Sequence, residues 1–253
     1  MEKSEPKESI GCPIGEITVD EKTISYVRRK LLSWGSANFD DFPWRTSTNE
    51  FHALVAEILL QRTKASQVVS TYLKFIEKYP DPVSLAHASV AEVENIIRPL
   101  GLKWRAKLLV QLGETLEKYD CKVPTEREAL MHLPGVGTYV STAYLSLHRR
   151  KPHPIVDSNI VRFYGRFFDF DTGPETRRNR VVIKLAECLT PARKTKEFNY
   201  ALIDFTRKVC KPKPYHEICP VKAKCHLSNY QAHRTLDNKL RSLSYSDTKN
   251  GVT

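Results

Sequence analysis

Two helical segments meet at Leu133-Pro134-Gly135-Val136-Gly137, and this junction constrains the fold more than any other stretch. Upstream, Thr125 and Glu128 have capping-box spacing before a short helix ending at Leu133; downstream, the chain reads as helical from Tyr139 to His148. Gly135 and Gly137 let the backbone reverse and leave N–H groups at a helix start facing outward, which suits a phosphate. An ordinary helix–helix turn is the competing reading, since glycine often ends helices. Charge tips the comparison. Forty Lys and Arg oppose 29 Asp and Glu, and the net charge of +11 is spread along the 253 residues rather than held in one tail. A polyanion is the partner such a surface implies, and with the hairpin that polyanion reads as double-stranded DNA.

The remainder is helical at the same resolution. Ile24, Val27, Leu31 and Leu32 mark a first helix with Asp20 as N-cap, and Phe42-Pro43-Trp44-Arg45 breaks the pattern. Phe51, Leu54, Val55, Ile58 and Leu59 form one stripe, which leaves Glu50, Glu57 and Gln61 on a different, solvated face. Val68 to Tyr79 gives a third helix ended by Pro80. Ser89 with Glu92 caps a fourth that stops before Gly101, and another runs from about Lys103 to Tyr119. No alternating segment bounded by hairpin turns is found, so the expected fold is all-α. Residues 1–18 read as a flexible lead-in, and 228–253 as a mobile polar tail.

No run approaches the roughly 20 apolar residues of a membrane span, and the N-terminus lacks the apolar stretch of a signal peptide. The expectation is a cytoplasmic protein, monomeric and associated with the nucleoid through DNA. In that reducing setting six Cys are expected as thiols or metal ligands, not disulfides. Cys12, Cys121 and Cys188 show no ligand spacing and read as ordinary thiols. Apart from His216, the eight His carry no motif.

The stretch LPGVGTYVSTAYLSLHRRKPHPIVDSNIVRFYGRFF resembles the signature of the helix-hairpin-helix DNA glycosylase superfamily, the group of endonuclease III, the MutY adenine glycosylases and the thymine-mismatch glycosylases of the Mig type. Phe42 to Arg45, Ala56 to Thr63, Gly101-Leu102 and Phe198-Asn199-Tyr200 through Cys225 are similar to family blocks in the same order, so the likeness spans roughly residues 20 to 227. It implies a six-helix barrel at about 45–150 beside a smaller helical domain built from 19–44 and 151–227, with a C-terminal metal-cluster loop and DNA across the cleft between the two. The target nucleotide must leave the stack, because the glycosidic bond is out of reach inside a duplex.

The resemblance also assigns roles. Breaking an N-glycosidic bond builds positive charge on the sugar, and a fixed carboxylate stabilises that charge or orients the attacking water. Asp157 matches the catalytic carboxylate, although an Asp there can equally be an N-cap. Glu57 matches the acid that MutY and Mig proteins aim at the departing base. Tyr139 stands where bifunctional members carry a Schiff-base Lys, and tyrosine cannot form that imine, so base release without strand cleavage is expected. Leu133, Gly135, Val136, Gly137 and Asn159 would contact DNA. Gln61 and Arg62 match residues that probe the duplex, or are simply an exposed helix end.

Cys210, Cys219 and Cys225 fall where the superfamily commonly binds a [4Fe-4S] cluster through four Cys, but here His216 occupies the second position, giving C-x5-H-x2-C-x5-C. A cluster on three Cys and His216, a Zn2+ ion on the same four, and a site without metal are the three readings, in that order. The chain ends soon after these cysteines, and Gly101-Leu102-Lys103-Trp104 lacks the Gly-Tyr-Tyr continuation of MutY. The expected activity is therefore excision of thymine or uracil opposite guanine. A MutY-like adenine glycosylase and a non-catalytic DNA-binding module are the alternatives.

Overall fold

The computed structural model describes residues 11–14, 17–101 and 103–229; Leu102 and most of the expected polar tail lie outside them. The described chain divides into two units, one of residues 39–155 and 190–200, the other of residues 11–38, 156–189 and 201–229. Among the described residues no helix is long and apolar enough to cross a membrane.

The larger unit is the helical barrel. It opens with the one-turn helix α2 (Pro43–Thr46), so the Phe42–Arg45 break is a short helix with proline in its first turn; α1 (Glu21–Asn38) belongs to the smaller unit. Then follow α3 (Glu50–Leu60), α4 (Ala65–Lys78), α5 (Pro82–Ala86), α6 (Val90–Ile97), α7 (Arg105–Lys118), α8 (Arg127–Met131) and α9 (Thr138–Leu147). Asn49 caps α3 by accepting from the His52 amide at 3.0 Å. The Ser89–Glu92 capping box forms in both directions, at 3.2 and 3.1 Å. The box expected at Thr125–Glu128 does not form: α8 begins two residues after Thr125, with Glu126 at its N-cap position making no side-chain cap. The Thr125 carbonyl accepts from Lys151 instead, at 2.6 Å.

One continuous core, running from Trp44 to Leu145, joins these helices. Its centre is α3, where every residue from Ala53 to Leu59 is buried. The sequence stripe placed Glu57 on a solvated face, and the structure corrects this: neighbouring helices pack on α3 beyond its apolar stripe, and Glu57 is 3% exposed.

The smaller unit contains α1 (Glu21–Asn38), α10 (Ser158–Phe168), α11 (Arg180–Leu189) and the second half of α12 (Thr195–Lys208). Asp20 caps α1 through the Thr23 amide, as expected. Phe163, Phe167, Phe205 and Trp34 pack edge to face or tilted at its centre. Arg28 donates to the carbonyls of Cys188 and Leu189 at 2.7 and 3.1 Å, satisfying the C-terminal end of α11.

Two expectations fail in this unit. Within the supposed flexible lead-in, β1 (Cys12–Ile14) and β2 (Ile17–Val19) pair as an antiparallel hairpin. Cys12 and Cys188 are not separate thiols either. The hairpin lies on α11 with the two Cα atoms 6.1 Å apart, within disulfide reach, and the pair is bonded.

Candidate active site

The hairpin is built as its glycines suggested. The Val136 amide donates to the Leu133 carbonyl at 3.1 Å, closing a tight turn. Gly135 sits at φ +78°, the left-handed region that favours glycine. Gly137 opens α9 with no side chain to cap it, and a Cβ there would meet nothing within 4 Å. Gly137, Thr138 and Tyr139 are exposed, so the N-terminus of α9 is open to solvent, a place that can receive an anion. Leu133 and Val136, expected as DNA contacts, have buried side chains, so they contribute packing and backbone alone.

Gln61 and Arg62 follow α3 in a loop held against this hairpin. Gln61 Nε2 donates to the Gly135 carbonyl at 2.9 Å, so its amide is engaged with protein. Arg62 is exposed and adopts a positive φ of 57°. The loop's anchor is Arg105, a residue that no sequence motif marks. Its guanidinium is 1% exposed and donates to the Leu59 carbonyl at 2.8 Å, to the Gln61 carbonyl, and to Thr63 Oγ1 at 3.3 Å. Burial, and secondarily the charge of Arg62, push Arg105 below its usual range.

Glu57 is not a bare carboxylate in this barrel. Its Oε1 lies 2.9 Å from Nε2 of His148, and both side chains are 4% exposed. His148 ends α9 and stacks on Tyr144 one turn earlier, with centroids 6.0 Å apart and planes 28° apart. Tyr139 is on the first turn of α9, 39% exposed.

Asp157 belongs to the smaller unit, where it is the N-cap of α10. Oδ1 accepts the amides of Asn159 and Ile160, each at 2.8 Å. Oδ2 takes the longer bond from Asn159 Nδ2, at 3.3 Å. Asn159, expected as a DNA contact, thus orients the carboxylate, and its own Oδ1 accepts from Arg162 at 2.9 Å. Burial first and Asp157 second push the Tyr164 phenol upward. In the barrel unit, Asn199 donates to the His153 carbonyl at 3.1 Å and so fixes the chain approaching Asp157.

Cys210, His216, Cys219 and Cys225 line one cavity of the smaller unit, together with Phe163 and Phe205. Among the described residues no three His, Cys, Asp or Glu side chains close to the spacing of a single-ion site. The donor set nevertheless fits a metal group. His216 Nε2 is buried without a hydrogen-bond partner. Burial raises the Cys219 thiol to about 11 and also raises Cys225, with the neighbouring sulfurs adding to both shifts. Arg166 reaches Cys210 Sγ at 3.6 Å.

An all-helical barrel with a glycine hairpin, and a carboxylate capping the second helix after it, defines a helix-hairpin-helix protein of the base-excision type. Residues 55–187 match the HhH-GPD superfamily of base excision DNA repair proteins, and the chain belongs to that family. A thymine/uracil-DNA glycosylase of Pyrobaculum aerophilum is 40% identical over 189 residues, 72% of this chain and 81% of that protein. A thymine-DNA glycosylase of Aeropyrum pernix is 36% identical over 82% of this chain and 96% of its own length. The solved structure of a thermostable thymine-DNA glycosylase superposes with a TM-score of 0.76 at 32% identity, covering 83% of this chain and 98% of that one. Adenine DNA glycosylases are also similar, at 26 to 32% identity.

The two hairpin glycines should separate stability from binding. Gly135→Ala is expected to lower stability by about 1–2 kcal/mol, because alanine at positive φ is strained. Gly137→Ala should leave the melting temperature nearly unchanged and weaken duplex DNA binding several-fold, read by fluorescence anisotropy. Equal binding by Gly137→Ala and the unaltered protein would remove the hairpin from the interface.

Proposed function

We propose that this protein is a monofunctional mismatch DNA glycosylase that flips thymine or uracil out from opposite guanine and hydrolyses its N-glycosidic bond. The observation that carries the reading is the 40% identity to a thymine/uracil-DNA glycosylase, over four-fifths of that protein's length. The adenine-specific relatives are less similar, and the first of them extend well beyond the matched region.

Each proposed role rests on geometry within one unit. The open N-terminus of α9 takes a phosphate, and the basic surface supplies the rest of the duplex affinity. Asp157 is held by two amides on Oδ1, which fixes its direction and leaves Oδ2 less committed, facing the developing sugar cation or the attacking water. Glu57 donates a proton to the leaving base. Tyr139 replaces the lysine amine that a lyase needs, so the product is an abasic site in an intact strand. Arg62, exposed on its anchored loop, fills the gap left by the flipped nucleotide.

Duplexes carrying G:T, G:U, A:G and A:8-oxoguanine, each treated with alkali after incubation, test the substrate. Strand breaks at T and U after alkali are expected. Asp157→Asn should lower the single-turnover rate by at least about 100-fold while duplex binding persists. Breaks at adenine alone would overturn the choice of base, and an unchanged rate in Asp157→Asn would remove that residue from the chemistry.

We infer that Cys210, His216, Cys219 and Cys225 hold a [4Fe-4S] cluster. Four donors around a cavity suit a cluster better than one Zn2+ ion, whose sulfurs sit at about 2.3 Å and must therefore converge. Bound there, the cluster would act as a structural cross-link for the loop after α12. Protein purified without air should be brown with about four iron atoms per chain; colourless, zinc-loaded or metal-free protein contradicts this.

A further inference from the structure

We propose that His148 is a positioning residue for Glu57, fixing which carboxyl oxygen faces the leaving base and stabilising the carboxylate left after proton transfer. The proposal rests on the reading of Glu57 as the proton donor. Both side chains of the pair are 4% exposed, so each must find its polar partner within the protein. Glu57 is 3% exposed, and a carboxyl oxygen buried in an apolar barrel is costly unless a hydrogen-bond donor meets it. The donor present is His148 Nε2, 2.9 Å from Oε1.

The unpartnered atom of the ring selects its tautomer. His148 Nδ1 is buried with no hydrogen-bond partner. An imidazolium, or a neutral ring protonated at Nδ1, would bury an unpaired N–H donor there. The tautomer protonated at Nε2 leaves only an unused lone pair at Nδ1 and places its proton on Glu57 Oε1. Stacking on Tyr144, and the His148 amide bond to the Tyr144 carbonyl at 3.0 Å, fix the ring plane.

This tautomer serves both states of Glu57. Before reaction Oε1 is a carbonyl oxygen accepting from Nε2–H, and the acidic proton sits on Oε2. As the C1′–N bond breaks, its electron pair leaves with the base and the Oε2 proton passes to that base. A carboxylate remains, still receiving Nε2–H on Oε1. Water then bonds to C1′ and releases a proton to solvent, and Glu57 regains one from solvent. His148 itself neither gains nor loses a proton. Its contribution is a hydrogen bond that strengthens as its acceptor becomes charged, the kind of change that lowers a barrier more than it alters binding.

Single-turnover excision from a G:T duplex, measured beside duplex affinity and melting temperature, tests this in four variants. Glu57→Gln should slow excision by about 100-fold or more. His148→Leu, which fills the space without a donor, should slow it by about 10- to 100-fold with duplex affinity within about twofold. His148→Gln, whose amide N–H can reach Oε1, should recover the rate to within about fivefold of the unaltered protein. Combining His148→Leu with Glu57→Gln should add no further loss, because the two residues act as one unit. If His148→Leu does not fold, His148→Gln decides: recovery supports the donor role and a tenfold loss overturns it. Losses that add in the double variant, or an unchanged rate in His148→Leu, would overturn the role of His148 while leaving Glu57 intact. An unchanged rate in Glu57→Gln would instead overturn the reading of Glu57, and this proposal with it.

Discussion

Burial of α3 on all sides is the constraint from which the rest of the barrel follows. From Ala53 to Leu59 the helix offers no solvated face, so each polar group there must find its partner inside the protein. Glu57 finds His148, from the far end of α9. The carbonyls at the C-terminal end of α3 find Arg105, from the start of α7. Gln61, just beyond the helix, finds the carbonyl of Gly135. The end of α9, the start of α7 and the hairpin, all distant in sequence, are thereby tied to one helix and to the loop that follows it.

Within each unit the residues proposed for binding and for chemistry are held by packing or backbone contacts. The hairpin's side chains Leu133 and Val136 belong to the barrel core, so the open N-terminus of α9 sits on a rigid base. Asp157 is fixed by a different device, the N-cap geometry of α10, which is compatible with the proposed catalytic role because the cap uses one oxygen more than the other. Holding a carboxylate by backbone amides fixes its direction, which is what the role proposed for Asp157 requires.

The hairpin, the helix boundaries near Ser89 and Gly101, and the all-helical class were legible in the sequence because each depends on local spacing or on glycine's freedom at positive φ. Features set by distant contacts were not legible. The apolar stripe of α3 gave the wrong environment for Glu57, because the stripe records one packed face and says nothing of helices that cover the others. Arg105 and His148 carried no motif, since their partners lie more than 40 residues away in the chain. The β1–β2 hairpin was hidden in a short segment rich in proline and glycine, and the Cys12–Cys188 pair arises only because that hairpin lies on α11. The bonds of Asn159 to Asp157 were likewise not legible, because a motif position does not show which neighbour an exposed amide meets.

With Glu57 of the barrel and Asp157 of the smaller unit in their proposed roles, the protein releases a pyrimidine base and leaves the strand whole. Mass spectrometry of a G:T duplex after one turnover reads that outcome without relying on alkali. The account predicts free thymine and a full-length strand in which the base has been replaced by hydroxyl. A cleaved strand ending in an unsaturated aldehyde, or a strand of unchanged mass, would contradict it.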